Sequence, residues 1–563
     1  MKQLVFCLLG VLLMHTGRAQ HYVIEDSVLI HTSYGATLSA VVVRKKDAPA
    51  RQPAALMFFI YSNLDRSLAE ARSAADHGYV GIVADTRGKR LSPDPIEPYE
   101  HEAKDVNAVI DWITHQPWSD GSVGMYGGSY SGFAQWAATK YLHPALKTIV
   151  PYVAAIPGLG LPMENNVFLT ANYQWPFYVT NNRMLDTAVN NANERFRKMR
   201  LNWFFSGVAY NRIDSVDGTP NPWLQKWLRH PSYDSYWQSM VPYGKEYARI
   251  NIPVLTITGY YDDGQISALE YLRQHYHYRP DAQHYLVIGP YDHFGAQRGG
   301  TKTIRGYQVD PVALINTREL TFQWFDYIMK NGPRPDLIKD RINFEPMDAN
   351  RWKHAPSLAR MEDSTYRFYL AKNKTLSLQK PLKQEYNLQQ ADLTDRNLWN
   401  EYYPDPIIKT ELDTSSGLFF WSRPFEEPVT VSGQVEGVLK AHINKKDMDI
   451  SLSLYEVMPD GKYFQLSYYI GRASYAKDQA QRHLLRPGKW ETIPMQRSRL
   501  FSKQLQKGSR LLAVLNINKN PFSQVNYGTG KDVSTETIHD AGTPLQIQWG
   551  TDSYLELGIS RVH

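Results

Sequence analysis

The sequence predicts an α/β domain with a parallel sheet, interrupted by a helical insertion and followed by an all-β domain. Three observations predict it. From Ala54 onward, strand-length apolar runs alternate with amphipathic helix-length segments, the signature of parallel strands covered by helices on both faces. That alternation stops between about Pro157 and Asn251 and then resumes. Beyond about residue 355 only short alternating segments remain, separated by turn signals such as Pro459-Asp460-Gly461, as in a β-sandwich.

Each element has its own justification. AALMFFIY (54–61) reads as a buried strand and SLAEARSAADHGY (67–79) as a helix ending near Gly78. YVGIVADTRG (79–88) is a second strand, and HEAKDVNAVIDWITHQ (101–116) a helix with Val106, Val109, Ile110 and Ile113 on one face. SVGMYG (122–127) is a third strand. The helix after it, 130–142, places Phe133, Trp136, Ala137 and Tyr141 at helical spacing, a face fit to pack on the sheet. LKTIVPYVA (146–154) is a fourth strand. The interrupting segment is rich in Trp, Tyr, Phe, Asn and Arg, with helical pieces such as DTAVNNANERFRKMRLNWFFSGV; its place between sheet strands suits a cap over a site. The sheet continues through IPVLTITGYYDD (252–263), a helix at 267–276 and HYLVIGPYDHF (284–294). The expected division is 1–19 leader, 20–156 and 251–354 α/β core, 157–250 cap, and 355–563 sandwich.

The first twenty residues, MKQLVFCLLGVLLMHTGRAQ, combine a basic start, an apolar run from Leu4 to Met14 and a small-x-small end at Gly17-Arg18-Ala19. This is the pattern of a secretory signal peptide cleaved after Ala19, and the run is too short to stay in a bilayer as a spanning helix. Export, periplasmic or extracellular, is the expectation. Cys7 is the only cysteine and lies within this leader, which excludes disulfides, thiolate zinc sites and a cysteine nucleophile from the cleaved chain. The formal charge of +6, or +4 without Lys2 and Arg18, is mild and has no dense basic run, so no nucleic-acid partner is expected.

The chemistry concentrates in GMYGGSYSGFAQW (124–136), a glycine-rich turn between a strand and a helix. A nucleophile on such an elbow needs small neighbours, because strand and helix come close together. Gly127 stands two before Ser129, whereas Ser131 has Ser129 two before it and Phe133 two after, so Ser129 is the candidate nucleophile. Asp262 ends the strand PVLTITGYYD, with Asp263 as rival acid, and His293 follows HYLVIGP. The order serine, acid, histidine, each after a strand, is that of α/β-hydrolases. His284 and the His275/His277 pair read as structural or surface residues, and without a third ligand the pair favours the surface over metal. The Tyr130 amide and a tyrosine at 61, after the first strand, are candidate oxyanion donors.

These segments resemble a known family. DTRGKRLSP (85–93) and DWITHQPWSDGSVGMYGGSYSGFAQWAA (111–138) are similar to the superfamily of bacterial cocaine esterases, α-amino-acid ester hydrolases and X-prolyl dipeptidyl-peptidases. Its elbow G-x-S-Y-x-G matches Gly127, Ser129, Tyr130 and Gly132. Its acid motif resembles TGYYD and selects Asp262, its histidine motif resembles IGPYDHF with Tyr291 in place of tryptophan, and its oxyanion tyrosine falls on Tyr61. HPSYDSYW (230–237) and SRPFEEPVTVSGQVEG (422–437) extend the likeness into cap and C-terminal domain. The resemblance implies an α/β-hydrolase core with an inserted helical cap plus a C-terminal all-β jelly roll. It further implies a serine hydrolase acting through an acyl-enzyme on a small-molecule ester, amide or short peptide, with no cofactor and no metal. Two other readings are an X-Pro dipeptidyl-peptidase and a non-catalytic glycan or ligand binder on a dead hydrolase fold; the filled triad positions weigh against the last. Where α-amino-acid ester hydrolases carry carboxylates for a substrate ammonium, this chain has Gly264 and Gln265, with Glu164 or a cap acid as possible substitutes. Trp175, Phe177, Tyr178, Trp203 and Phe205 in the cap are expected to line a site or to fill the cap's own core.

Overall fold

The structure is a computed structural model and describes residues 21–562; the leader expected at 1–19 lies outside them. Seven strands run parallel in the central sheet: β3 (Gln52–Phe59), β4 (Val80–Asp85), β5 (Ser119–Gly128), β6 (Leu146–Tyr152), β7 (Val254–Tyr261), β8 (His284–Asp292) and β9 (Ile342–Phe344). An antiparallel hairpin of β1 (Tyr22–His31) and β2 (Thr37–Lys45) extends one edge and β10 (Lys353–Ala355) the other, giving the order β1-β2-β4-β3-β5-β6-β7-β8-β9-β10. The central strands are buried along nearly their whole length, which is why they read as continuous apolar runs rather than as alternations.

Helices α1 (Leu64–Asp76), α2 (Glu102–Thr114), α3 (Tyr130–Thr139), α4 (Gln265–Tyr278) and α5 (Thr317–Met329) cover the sheet. Every residue of α3 is buried, so it is a core helix rather than an amphipathic one. Phe133, Trp136 and Ala137 lie in the core, but Tyr141 is beyond the end of the helix and exposed. The expected four-residue face is therefore three residues. His275 also departs from its surface reading. It is buried, with Nε2 on the Ile250 carbonyl at 3.0 Å and Nδ1 3.2 Å from that of His284, which is itself bonded to Thr256.

Between β6 and β7 the chain leaves the sheet and forms short helices, among them Trp175–Thr180, Asn193–Ser206 and Pro222–Leu228. A buried lysine ties this insertion down: Lys89 Nζ donates to the carbonyls of Val179 and Asn182 at 2.8 Å each and to Met184 at 3.3 Å.

The C-terminal domain is the expected all-β jelly roll of two antiparallel sheets. One is organised around the fifteen-residue strand Val429–Ile443, the other around Asp449–Val457 and Tyr463–Arg472. It packs on the α/β domain through buried polar contacts. Arg499 makes a bidentate pair with Glu164 at 2.6 and 2.9 Å, both side chains almost fully buried. Gln265 exchanges two bonds with the Leu500 backbone, at 2.6 and 2.9 Å. Among the described residues no helix is long and apolar enough to cross a membrane.

Removing one partner of a buried ion pair strands a charge away from water, at a cost of about 3–5 kcal/mol. Arg499→Met is therefore expected to lower the unfolding temperature markedly, and Glu164→Met/Arg499→Met to recover much of the loss. Calorimetry on the three proteins checks this; equal destabilisation by the single and double changes would contradict it.

Candidate active site

The site begins with strand register. In the β7–β8 pair, Tyr261 lies opposite Asp292, so the next residue of each strand, Asp262 and His293, emerges at the same edge about 4.8 Å apart in the pairing direction. Their side chains meet there: His293 Nδ1 is 2.8 Å from Asp262 Oδ1. Asp262 is fully buried. Its Oδ1 also accepts the Gly264 N–H at 2.9 Å and its Oδ2 the Thr258 hydroxyl at 2.7 Å, so the carboxylate is fixed before it meets the imidazole. Asp263 instead is exposed and accepts the Tyr403 hydroxyl at 2.9 Å. Asp292 caps the following turn through Gly295 N at 2.6 Å.

Ser129 sits between β5 and α3 with φ 60° and ψ −117°, a conformation that costs a non-glycine residue about 1–3 kcal/mol. Its own N–H is tied to the Tyr152 carbonyl at 3.0 Å. The glycines of the motif have steric reasons. A Cβ on Gly127, at φ 126°, would come within 2.8 Å of Ser131 Cβ, and one on Gly132 would meet the Ala154 Cα and the Tyr152 oxygen at 2.8 Å. Ser131 is buried in this turn. The loop after His293 packs on the same elbow: Gln297 donates to the His293 carbonyl at 2.8 Å, and its side chain lies where a Cβ of residue 128 would be, 2.3 Å from the Oε1.

Ser129, His293 and Tyr61 all line one cavity of about 660 Å³. Tyr61 follows β3, and its hydroxyl oxygen accepts the Trp175 indole N–H at 3.0 Å, which leaves the phenolic proton free to be donated. Burial pushes the Tyr61 phenol up, and hydrogen bonds to its oxygen from Trp175 and from the Ser129 side chain oppose that rise. Tyr130 is the first residue of α3, where the backbone N–H has no partner within the helix. Its side chain plays no part at the cavity: the phenol turns inward, donates to the buried Glu102 and accepts the Tyr99 N–H at 3.1 Å. Burial pushes the Glu102 carboxyl up to about 8.

The cap supplies Leu161, Trp175, Tyr178, Leu185 and Trp227 to the cavity wall. Of the aromatics expected there, Trp175 and Tyr178 line it, Phe177 and Trp203 are buried in the cap, and Phe205 is exposed. Glu164 does not substitute for the missing ammonium-binding carboxylates, since Arg499 takes both its oxygens. Gln265 is turned into the jelly-roll contact. A second cavity, about 310 Å³, lies in the jelly roll between Trp399, Glu411 and Tyr455 and has no histidine in its walls. The contacts that fix Asp262 and Tyr61, from Thr258, Gly264 and Trp175, carry no sequence signal beyond proximity or aromatic character.

Comparison with known proteins follows the same lines. The profile of the X-Pro dipeptidyl-peptidase (S15 family) matches residues 28–295, and that of the X-Pro dipeptidyl-peptidase C-terminal non-catalytic domain matches 339–549. The chain belongs to the cocaine esterase and X-Pro dipeptidyl-peptidase superfamily. As a member it is a serine hydrolase. It is 22% identical over 574 residues to the cocaine esterase of Rhodococcus sp. (strain MB1 Bresler), covering 93% of this chain and 96% of that one. In fold, this superfamily member is similar to an aminopeptidase from a marine sediment Thaumarchaeota archaeon (TM-score 0.80, 19% identity, 96% of each chain). It is similar also to an α-amino acid ester hydrolase (TM-score 0.77, 19% identity, 96% of this chain and 97% of the other).

Electrostatics at the histidine set a pH expectation. Burial opposes the charged imidazole, but the hydrogen bond to Asp262 and the charges of Asp262, Asp263 and Asp292 outweigh it and raise the His293 pKa above its ordinary 6.5. A base must be neutral to accept a proton, so activity is expected to fall as pH drops through an apparent pKa above 6.5. Asp263→Asn removes one raising charge and should move that acid limb of kcat/KM to lower pH. A limb unmoved by the substitution would overturn this account.

Proposed function

We propose that this hydrolase cleaves an ester or amide acyl bond by a Ser129–His293–Asp262 triad, through an acyl-enzyme. The observation that carries the reading is the buried Asp262 carboxylate on His293 Nδ1, at 2.8 Å, beside a strained serine on the same cavity. His293 takes the Ser129 proton as the hydroxyl attacks the carbonyl carbon. Asp262 keeps Nδ1 protonated, leaving Nε2 as the base, and stabilises the imidazolium. The oxyanion receives the Tyr61 hydroxyl and the Tyr130 amide. Collapse of the tetrahedral intermediate expels the alcohol or amine, which takes the proton from His293, and water then repeats the sequence on the acyl-enzyme. Export after cleavage near Ala19 belongs to the same proposal.

Ser129→Ala is expected to abolish both turnover of 4-nitrophenyl esters and labelling by a fluorophosphonate; retained turnover would refute the assignment. Tyr61→Phe keeps the ring and loses one donor, so kcat should fall by roughly 10²-fold with little change in KM. An unchanged kcat would remove Tyr61 from the oxyanion site. For the peptidase reading, the cavity acids are Asp263, held by Tyr403, and Glu70, held by Arg318. Neither is a free anchor for an N-terminal ammonium, and turnover of Gly-Pro 4-nitroanilide is expected to be far below that of simple esters.

A further inference from the structure

The cavity that holds Ser129 is not electrically balanced. Arg66, Arg298 and Arg318 line it, against the carboxylates of Glu70 and Asp263. Arg318 is committed: Nη2 donates to both Glu70 oxygens at 2.9 Å, and Nη1 to the Ser73 hydroxyl at 3.2 Å. Asp263 belongs to the Tyr403 hydroxyl. Arg66 and Arg298 form no ion pair among the described residues; each guanidinium lies near an aromatic ring instead, Phe59 at 4.6 Å and Phe294 at 6.0 Å from the centroid.

Arg66 is not placed where helix electrostatics favour a cation. Arg66 is in the first turn of α1, with its N–H capped by Asn63 at 3.0 Å, where the helix dipole disfavours a cation. Loss of hydration lowers its pKa first; Glu70 opposes, and repulsion from Arg298 and Arg318 adds to the fall. Both unpaired groups sit on segments that also build the site. Arg66 follows Tyr61 at the end of β3, and Arg298 lies beyond His293 next to Gln297, which packs on the elbow. Met57, Phe59, Tyr126 and Tyr152 make further wall of the same cavity, so apolar surface and guanidinium groups are presented together.

We propose that the substrate carries a carboxylate, and that Arg66 and Arg298 hold it while Ser129 attacks a carbonyl across the apolar wall. This rests on the serine hydrolase reading above and names the substrate class of that site. Planar guanidinium forks suit a carboxylate, and an anion-attracting wall raises the local concentration of such substrates. The carboxylate belongs either to the acyl part or to the leaving group, and two matched pairs separate these.

The test measures kcat/KM for 4-nitrophenyl hydrogen adipate against its methyl ester, and for 3-acetoxybenzoate against methyl 3-acetoxybenzoate. Wild-type enzyme is expected to favour the anionic member of one pair at least tenfold, and the preference to shrink in 0.5 M NaCl, because exposed charges are screened. The ratio should approach one in Arg66→Gln/Arg298→Gln and be partly kept in Arg66→Lys/Arg298→Lys, with melting curves to establish that the variants fold. No anionic preference in either pair, or one that survives the double glutamine change, would overturn the proposal. The wild-type ratios decide it even where a variant does not fold. Loss of neutral-ester turnover in Ser129→Ala without any charge preference refutes this inference alone, whereas persistent turnover in that variant refutes the triad.

Discussion

The pairing of β7 with β8 is the constraint on which the site depends. Because Tyr261 stands opposite Asp292, Asp262 and His293, the proposed acid and base, emerge side by side, and a slip of one residue would turn each to the opposite face of the sheet. The buried contacts around Asp262 complete the arrangement. Thr258, four residues earlier on the same strand, and Gly264, two residues later, both donate to it. The carboxylate therefore needs little reorganisation when the imidazole gains charge, which is the advantage of preorganised dipoles over mobile water.

Much of this was legible in the sequence. The alternation of apolar runs and helices located β3 to β8, and the short alternating strands located the jelly roll, because burial on two faces and on one leaves different periodicities. Glycines at 127 and 132 marked the elbow because Ser131 Cβ at the first and the Ala154 and Tyr152 backbone at the second exclude a side chain. Other parts were not legible. The hairpin of β1 and β2 pairs antiparallel at an edge and lies outside the alternation that begins at Ala54. β9 and β10 have only three residues each, too short to carry a period. Tyr141 fitted a helical wheel but falls after the helix has ended, and His275 kept a polar identity while packing inside.

Within the site, the residues proposed to react were easier to find than those that hold them. Ser129, Asp262 and His293 occur at fixed points of strand-turn motifs, whereas Trp175 reaches Tyr61 from the separate inserted segment. Such a contact is tertiary, and no local spacing encodes it. Charge balance behaves similarly: the arginines at 66, 298 and 318 are scattered along the chain and mild in total, yet the fold gathers them on one wall.

The jelly roll grips the acid-bearing loop from both directions. Tyr261 donates to the Gln465 carbonyl at 3.0 Å, Tyr403 and Arg499 reach Asp263, and Gln265 locks onto Leu500. Three residues around one catalytic candidate thus lean on a domain whose matching profile is described as non-catalytic. An enzyme built this way does not reduce to a minimal hydrolase by trimming. Removing the sandwich would strip Tyr261, Asp263 and Gln265 of these partners and loosen the segment that carries Asp262.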